Sequence, residues 1–324
     1  MGNNREPAAV SESPLDVAVA GHILNERVVF PDRVLYPVLG SPAAYSSICL
    51  ARLGRRVGVV TRLGRDFPLD LLKAFERAGV RRDGIRWGAR STNNELVYHR
   101  DGRKSIRYLS RAENIEYSDF PEAYRSTRLI YVCPMDREVR PQTIERLRSH
   151  GHCLVVDLGG FGGATSAEHP QNKDGAEVKE ICPLFDIVKA SSEDLEYILG
   201  AGRQQFVEVA RQLQDWGAGA VVVTLGKDGA YVVKGQESKL LPAYLTDEAS
   251  VLDQTGAGDC FSAGFLSEYV ASGDPFGAAV YGNAVTSFVI ERTGGASAER
   301  MPNQEEADRR AQELLVRQGI APIR

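Results

Sequence analysis

Short apolar runs alternate along this chain with stretches whose apolar residues recur at helical spacing. Residues 15–21 (LDVAVAG), 56–62 (RVGVVTR), 128–134 (RLIYVCP), 152–158 (HCLVVDL), 186–191 (DIVKAS) and 220–226 (AVVVTLG) read as strands, the later ones apolar on both faces. Residues 41–54, 70–80, 141–150, 191–200 and 206–217 read as helices, several of them closing on glycine. A strand that is apolar on both faces needs cover on both, and interleaved helices supply it. The pattern therefore predicts an α/β fold, a three-layer αβα arrangement around a mostly parallel sheet with right-handed crossovers.

Residues 93–111 (NNELVYHRDGRKSIRYLSR) break this rhythm. They have no helical period, and Asp101-Gly102 stands between two arms that alternate apolar and charged residues, which is a hairpin signal. With residues 24–37 they are expected to form a small β-sheet that projects from the core. Ligands of open α/β sheets bind beyond the carboxyl ends of the strands. A sheet projecting there is a lid, able to exclude water during a reaction. Its open strand edges also suggest that two lids pair in a homodimer.

Composition narrows the function classes. A net charge of −4 gives no generally basic surface, so a nucleic-acid partner is not expected. No apolar run reaches membrane-spanning length, so no membrane partner is expected. The five cysteines are scattered and form no CxxC, which reads as reduced core thiols and a cytoplasmic location. Residues 1–13 read as a disordered tail, and the domain is expected over 14–324. The five histidines have no metal-ligand spacing.

The most informative stretch is 251–261, VLDQTGAGDCF. The following residues have helical period, so Gly256, Ala257 and Gly258 open a helix. A helix start offers unpaired backbone N–H groups and positive potential. Two glycines let an anion come close to them. Asp259 then places a carboxylate beside an anion site, which costs electrostatic energy and implies a role.

This stretch resembles the signature of the ribokinase-like (PfkB) carbohydrate kinases, and the resemblance runs from about Leu15 to the last helix. It implies a ribokinase-like fold and an ATP-dependent kinase that phosphorylates a hydroxyl of a sugar or a cyclitol such as myo-inositol. It further implies that Asp259 is the base and that the backbone of Gly256, Ala257 and Gly258 is the anion hole. A nucleoside kinase of the same fold is the alternative, followed by a non-catalytic family member that binds a ligand. The elements at GSPAAY, PMDREV and VVDLGGF look closest to the myo-inositol kinase-like branch. ATP and Mg²⁺ are the implied cofactors, and the Gly294-Gly295 loop adds a monovalent cation, K⁺.

The remaining assignments follow from the same resemblance. Ser191, Thr224, Gly226, Gly229 and Asn283 are the implied nucleotide contacts. Asp194, three residues after Ser191, is implied to reach Mg²⁺ through water, although Ser191-x-x-Asp194 also reads as a plain capping arrangement. Glu26, Gly40, Ser41, Arg111, Glu138 and Asp157 are the implied contacts of a polyol or sugar substrate. The chain departs from the family pattern at three of its positions. Leu39 stands for a glycine, Ala44 for an asparagine and Glu26 for an aspartate.

Overall fold

The chain enters its structure through β1 (Val17–Ala20), whose four residues are all buried. It continues through β2 (Leu24–Val29), β3 (Val34–Gly40), α1 (Pro42–Arg52), β4 (Val57–Gly64), α2 (Lys73–Ala78), β5 (Arg81–Gly88), β6 (Asn93–Tyr98) and β7 (Lys104–Ser110). The middle of the chain gives α3 (Glu122–Arg125), β8 (Leu129–Val132), α4 (Pro141–Arg148), β9 (Cys153–Asp157), α5 (Ala176–Ile181), β10 (Ile187–Ser191), α6 (Ser192–Leu199) and α7 (Phe206–Asp215). The last third gives β11 (Ala220–Thr224), β12 (Ala230–Lys234), β13 (Glu237–Leu241), α8 (Ala257–Ser272), α9 (Pro275–Ile290) and α10 (Gln304–Arg317). This computed structural model describes residues 14–100, 104–244, 247 and 250–317. The expected tail at 1–13 and the expected turn at Asp101-Gly102 lie outside them.

Among the described residues the larger sheet has nine strands in the order β13-β12-β11-β10-β9-β8-β1-β4-β5. Strands β5, β4, β1, β8, β9, β10 and β11 are parallel to their neighbours, and β12 and β13 add an antiparallel edge. Alternate residues of each strand feed two separate cores. Val17, Val19, Val155 and Val222 pack with Ile48 of α1, Phe265 of α8, Val285 of α9 and Leu314 of α10. Ala18, Ala20, Val156 and Val221 pack with Ile144 of α4, Val178 of α5, Ile198 of α6 and Leu213 of α7. Each wholly buried valine or leucine contributes roughly 1.5–3 kcal/mol, which is why the strands carry apolar residues without alternation. The predicted three layers are present. All five cysteines are unpaired, and no helix among the described residues is long and apolar enough to cross a membrane.

The residues expected to form a lid make a second sheet of order β3-β2-β6-β7. Strands β2 and β6 are parallel, while β3 and β7 flank them antiparallel. Its apolar face gathers Val28, Val38 and Leu96 with Phe30, Leu35, Tyr98 and Ile106. Strand β5 was not foreseen. Its sequence RRDGIRWG is charged enough to hide the strand, and as the sheet's edge it can afford that charge, which blunts edge pairing.

Candidate active site

Helix α8 is opened by Gly256, which caps it at φ 76°, in the left-handed region. A residue with a Cβ adopts that region only under strain, and a Cβ there would lie 2.5 Å from the ring of Tyr45. Asp253 shapes the approach, its Oδ1 accepting from the Thr255 amide at 2.9 Å. One expected anion-hole donor is diverted: the Ala257 amide donates to the Gln254 carbonyl at 3.1 Å. The amides of Gly256 and Gly258 have no hydrogen-bond partner among the described residues, and they sit at the positive end of the helix. Gly256, Ala257, Gly258 and Asp259 all line a cleft of about 950 Å³ that also takes in the lid residues Leu96, Tyr98 and Ile106.

The parallel register of β9 and β10 sets Lys189 beside Asp157. The Lys189 Nζ lies 2.8 Å from Asp157 Oδ2, and both side chains are buried. Tyr131 donates to the same carboxylate at 3.4 Å and the Gly159 amide at 3.1 Å. Asp157 therefore lines the cleft with its oxygens engaged by protein groups. Lys189 lines it too, and its Nζ is 3.5 Å from the point where a Cβ on Gly258 would stand. Burial works against its charge, but Asp157, Asp194 and Asp259 outweigh burial and hold the ammonium pKa above the usual lysine value. Sequence reasoning missed this residue. Its signal was a lysine inside a strand that is otherwise apolar on both faces.

Glu26 reaches the cleft from β2. Burial pushes its carboxyl up to about 7, the neighbouring Asn94 side chain opposes that rise, and the charge of Asp253 adds to it. Gly40, on the neighbouring strand, makes room for it, since a Cβ there would meet Glu26 Oε2 at 2.6 Å. Gly40 thus shapes the site from behind rather than lining it. Ser41 does line it, at φ 108°, and caps α1 by accepting from the Ala44 amide at 3.1 Å. The left-handed backbone therefore falls on Ser41 and not on Leu39. Ala44 is wholly buried, and its neighbour Tyr45 faces the cleft.

Two expected substrate residues lie outside this cleft. Glu138 is buried and accepts from the amides of His22 at 2.9 Å, Met135 at 2.8 Å and Asp136 at 2.8 Å. It fixes the loop after β8. Arg111 pairs with Asp136 at 2.8 Å and also donates to the Asp136 carbonyl. It is a tether between lid and core. His22 is similarly structural, with Thr92 Oγ1 and the Glu113 carbonyl each 2.9 Å from its two ring nitrogens.

The other end of the cleft is lined by Ser191, Asp194, Thr224, Gly226, Gly229 and Asn283. Register pairs Ser191 with Thr224 at the strand ends. Gly229 holds φ 94°, and a Cβ there would meet the Leu241 carbonyl at 2.0 Å. The Asn283 amide donates to the carbonyls of Leu241 and Pro242 at 3.0 Å each, bracing this wall. Ser191 and Asp194 form a reciprocal capping box, and the second Asp194 oxygen accepts from the Ala164 amide at 2.9 Å. Among the described residues no group of three or more His, Cys, Asp or Glu is arranged to hold a metal ion. The Gly294 carbonyl, expected to help bind a monovalent cation, accepts from the Tyr45 hydroxyl at 3.3 Å and from the Arg300 guanidinium.

Comparison with known proteins agrees with this architecture. The profile of the pfkB family of carbohydrate kinases matches residues 39–302. The chain is 29% identical over 257 residues to a cytidine kinase of Thermococcus kodakarensis, covering 79% of this chain and 88% of that one. Arabidopsis thaliana ribokinase complexed with ribose and ATP has a similar fold, with a TM-score of 0.75 at 19% identity over 93% of this chain and 99% of that one. So has a pyrophosphate-dependent kinase in the ribokinase family complexed with a pyrophosphate analog and myo-inositol, with a TM-score of 0.72 at 20% identity over 88% and 98% of the two chains.

Proposed function

The chain belongs to the pfkB family of carbohydrate kinases, and from that premise we propose that it moves the γ-phosphoryl group of ATP onto a hydroxyl of a sugar or cyclitol. One observation carries the reading. Asp259, the open amides of Gly256 and Gly258, and the Lys189 ammonium converge on one cleft that also holds Glu26 under the lid. Phosphoryl transfer depends on positioning and on stabilising charge as it moves. In this reading Asp259 accepts the proton of the attacking hydroxyl. The two amides and Lys189 meet the oxygens of the migrating phosphoryl group. Glu26 and Ser41 accept hydrogen bonds from the acceptor's other hydroxyls, as carboxylate and hydroxyl oxygens do.

The donor lies against Ser191, Thr224, Gly226, Gly229 and the wall that Asn283 braces. Mg²⁺ with the donor would neutralise charge on its phosphates. Asp194 and its neighbour Glu193, both lining the cleft, would meet it through water. Asp194 fits only that indirect role, because both its oxygens already accept protein hydrogen bonds.

A nucleoside acceptor is the second reading. Leu96, Tyr98, Ile106 and Met135 give the lid end of the cleft an apolar wall, which suits the face of a base, and the similarity to a cytidine kinase supports it. The intact Asp259 and glycine turn weigh against a purely ligand-binding role. Exposed Val34, Tyr36 and Leu109 on the outer strands of the lid support a homodimer through the lid, which light scattering checks. The deciding experiment measures ATP turnover by the purified chain over a panel of sugars, inositols and nucleosides. Turnover with a sugar or inositol supports the first reading, turnover with nucleosides alone the second, and none in the whole panel overturns both.

A further inference from the structure

Arg300 is the largest fully buried side chain among the described residues, at 2% exposure. A buried guanidinium must be paired and hydrogen-bonded to be tolerated, and the partners of this one all come from elements around the phosphate-binding turn. Its Nη2 donates to the Asp253 carbonyl at 2.9 Å and lies 3.5 Å from Asp253 Oδ2. Its Nη1 donates to the Gly294 carbonyl and, at 3.3 Å, to the Tyr45 hydroxyl. Its Nε donates to the carbonyls of Val289 at 3.3 Å and Arg292 at 3.1 Å. The set is one carboxylate, four backbone carbonyls and a hydroxyl. The Val289 carbonyl lies at the C-terminal end of α9 and the Arg292 carbonyl just beyond it, where the helix dipole is negative.

That all-oxygen set with a single negative charge is what a dehydrated monovalent cation would take. The expected K⁺ near Gly294 does not fit here, because the oxygens it would use already surround a fixed positive charge. We propose that Arg300 is a resident cation, a positioning residue that stands where a free alkali-metal ion would otherwise be bound. It ties Asp253, and so the turn Thr255-Gly256, to the end of α9. Through the Tyr45 hydroxyl it also braces the ring that packs on Gly256. The amides of Gly256 and Gly258 are thereby held in place without any dissociable ion. The catalytic consequence rests on the kinase reading above; cation independence of the fold does not.

Two measurements on the full chain test this. The first is the melting temperature in choline, sodium and potassium chloride at equal ionic strength, with no acceptor or nucleotide. A specifically bound ion stabilises the folded state by mass action. The unaltered chain is expected to melt at one temperature in all three salts. A rise specific to potassium would overturn the proposal whatever the enzyme's substrate. The second compares Arg300→Ala and Arg300→Lys for turnover and for ATP affinity. Arg300→Ala is expected to lose on the order of 10² in kcat, the scale for a lost or misaimed oxyanion donor, with ATP KM changed less than about threefold. Millimolar guanidinium or potassium is expected to restore part of that rate and to raise the variant's melting temperature. If Arg300→Ala does not fold, Arg300→Lys carries the same test, with an ammonium that reaches fewer of the oxygens and an intermediate rate. A folded variant with unchanged kcat, or one that neither cation rescues, overturns the proposal. Should no acceptor be turned over at all, the salt series still decides the cation question while the kinase reading fails by itself.

Discussion

Lys189 and Asp157 form a buried ion pair, Nζ to Oδ2 at 2.8 Å, across adjacent parallel strands in register at the floor of the cleft. Removing one member strands the other charge in the interior, which typically costs about 3–5 kcal/mol. Lys189→Met is therefore expected to lower both the melting temperature and the activity. Lys189→Met combined with Asp157→Leu removes both charges and should recover most of the lost stability. Activity should stay low in the double variant, because the ammonium beside Gly258 is still missing. Thermal melts and turnover on the three proteins separate the two roles. Activity that recovers with stability would reduce Lys189 to a structural residue.

The β3-β2-β6-β7 sheet is joined to the glycine turn that opens α8 by Tyr98, whose hydroxyl oxygen lies 2.6 Å from Thr255 Oγ1. Its ring stacks on Phe30 with centroids 5.0 Å apart. Tyr98→Phe keeps the stack and deletes the bond to the turn. A net hydrogen bond is worth about 0.5–1.5 kcal/mol, so kcat/KM for the acceptor should fall roughly two- to tenfold. ATP KM should hardly change, since the bond belongs to the lid. Steady-state kinetics with each substrate varied in turn checks this, and equal losses for both substrates would count against a lid role.

What could be read from the sequence was whatever rests on local pattern. The doubly apolar strands gave the parallel sheet, and the 251–261 stretch gave the turn that opens α8, because both depend on residues close in sequence. Glu138 and Arg111 lie outside the cleft for the opposite reason. Glu138 follows a strand whose end faces the cleft and Arg111 follows β7, but Glu138 is taken by three backbone amides and Arg111 by Asp136. Those partners are set by how loops fold back. Arg300 and Lys189 were overlooked because their importance lies in what surrounds them. Arg300 meets Asp253 across 47 residues, and nothing in its own neighbourhood in the sequence marks it as buried. The left-handed backbone of Ser41 is likewise invisible in the sequence, since its residue type ordinarily avoids that region.

Glu26 makes the stability and the substrate affinity depend on pH. Its carboxyl titrates near 7 in the folded chain against an ordinary value of 4.5, mainly because it is buried. Between these values the folded state holds a proton that the unfolded state has released, so stability falls as pH rises through the window. At about 1.4 kcal/mol per unit the loss is about 3 kcal/mol by neutral pH. Glu26→Gln has no such titration. Its melting temperature relative to the unaltered chain should therefore increase from pH 5 to pH 8. In the kinase reading the ionised form accepts the acceptor's hydroxyls, so acceptor KM should fall as pH rises through 7 in the unaltered chain and stay flat in the variant. A melting-temperature difference that does not vary with pH would mean that the carboxyl is not perturbed.

Asp259 is the proposed base. Asn in its place keeps the size and the hydrogen bonding but cannot take a proton. Loss of a general base typically costs on the order of 10² to 10⁴ in rate, or about 3–5 kcal/mol of barrier. Asp259 is only half-buried, in the first turn of α8, so folding should change little. The charge removed lies near Lys189, which keeps Asp157 as its closest partner at 2.8 Å, so the ammonium stays in place. ATP should bind as well or better, because a negative charge next to its phosphates is gone. Asp259→Asn is thus expected to lose kcat while melting temperature and ATP affinity persist, a split that identifies an interaction made only in the transition state. Turnover by this variant near the unaltered rate would assign the proton to another group and leave the cleft without its proposed base.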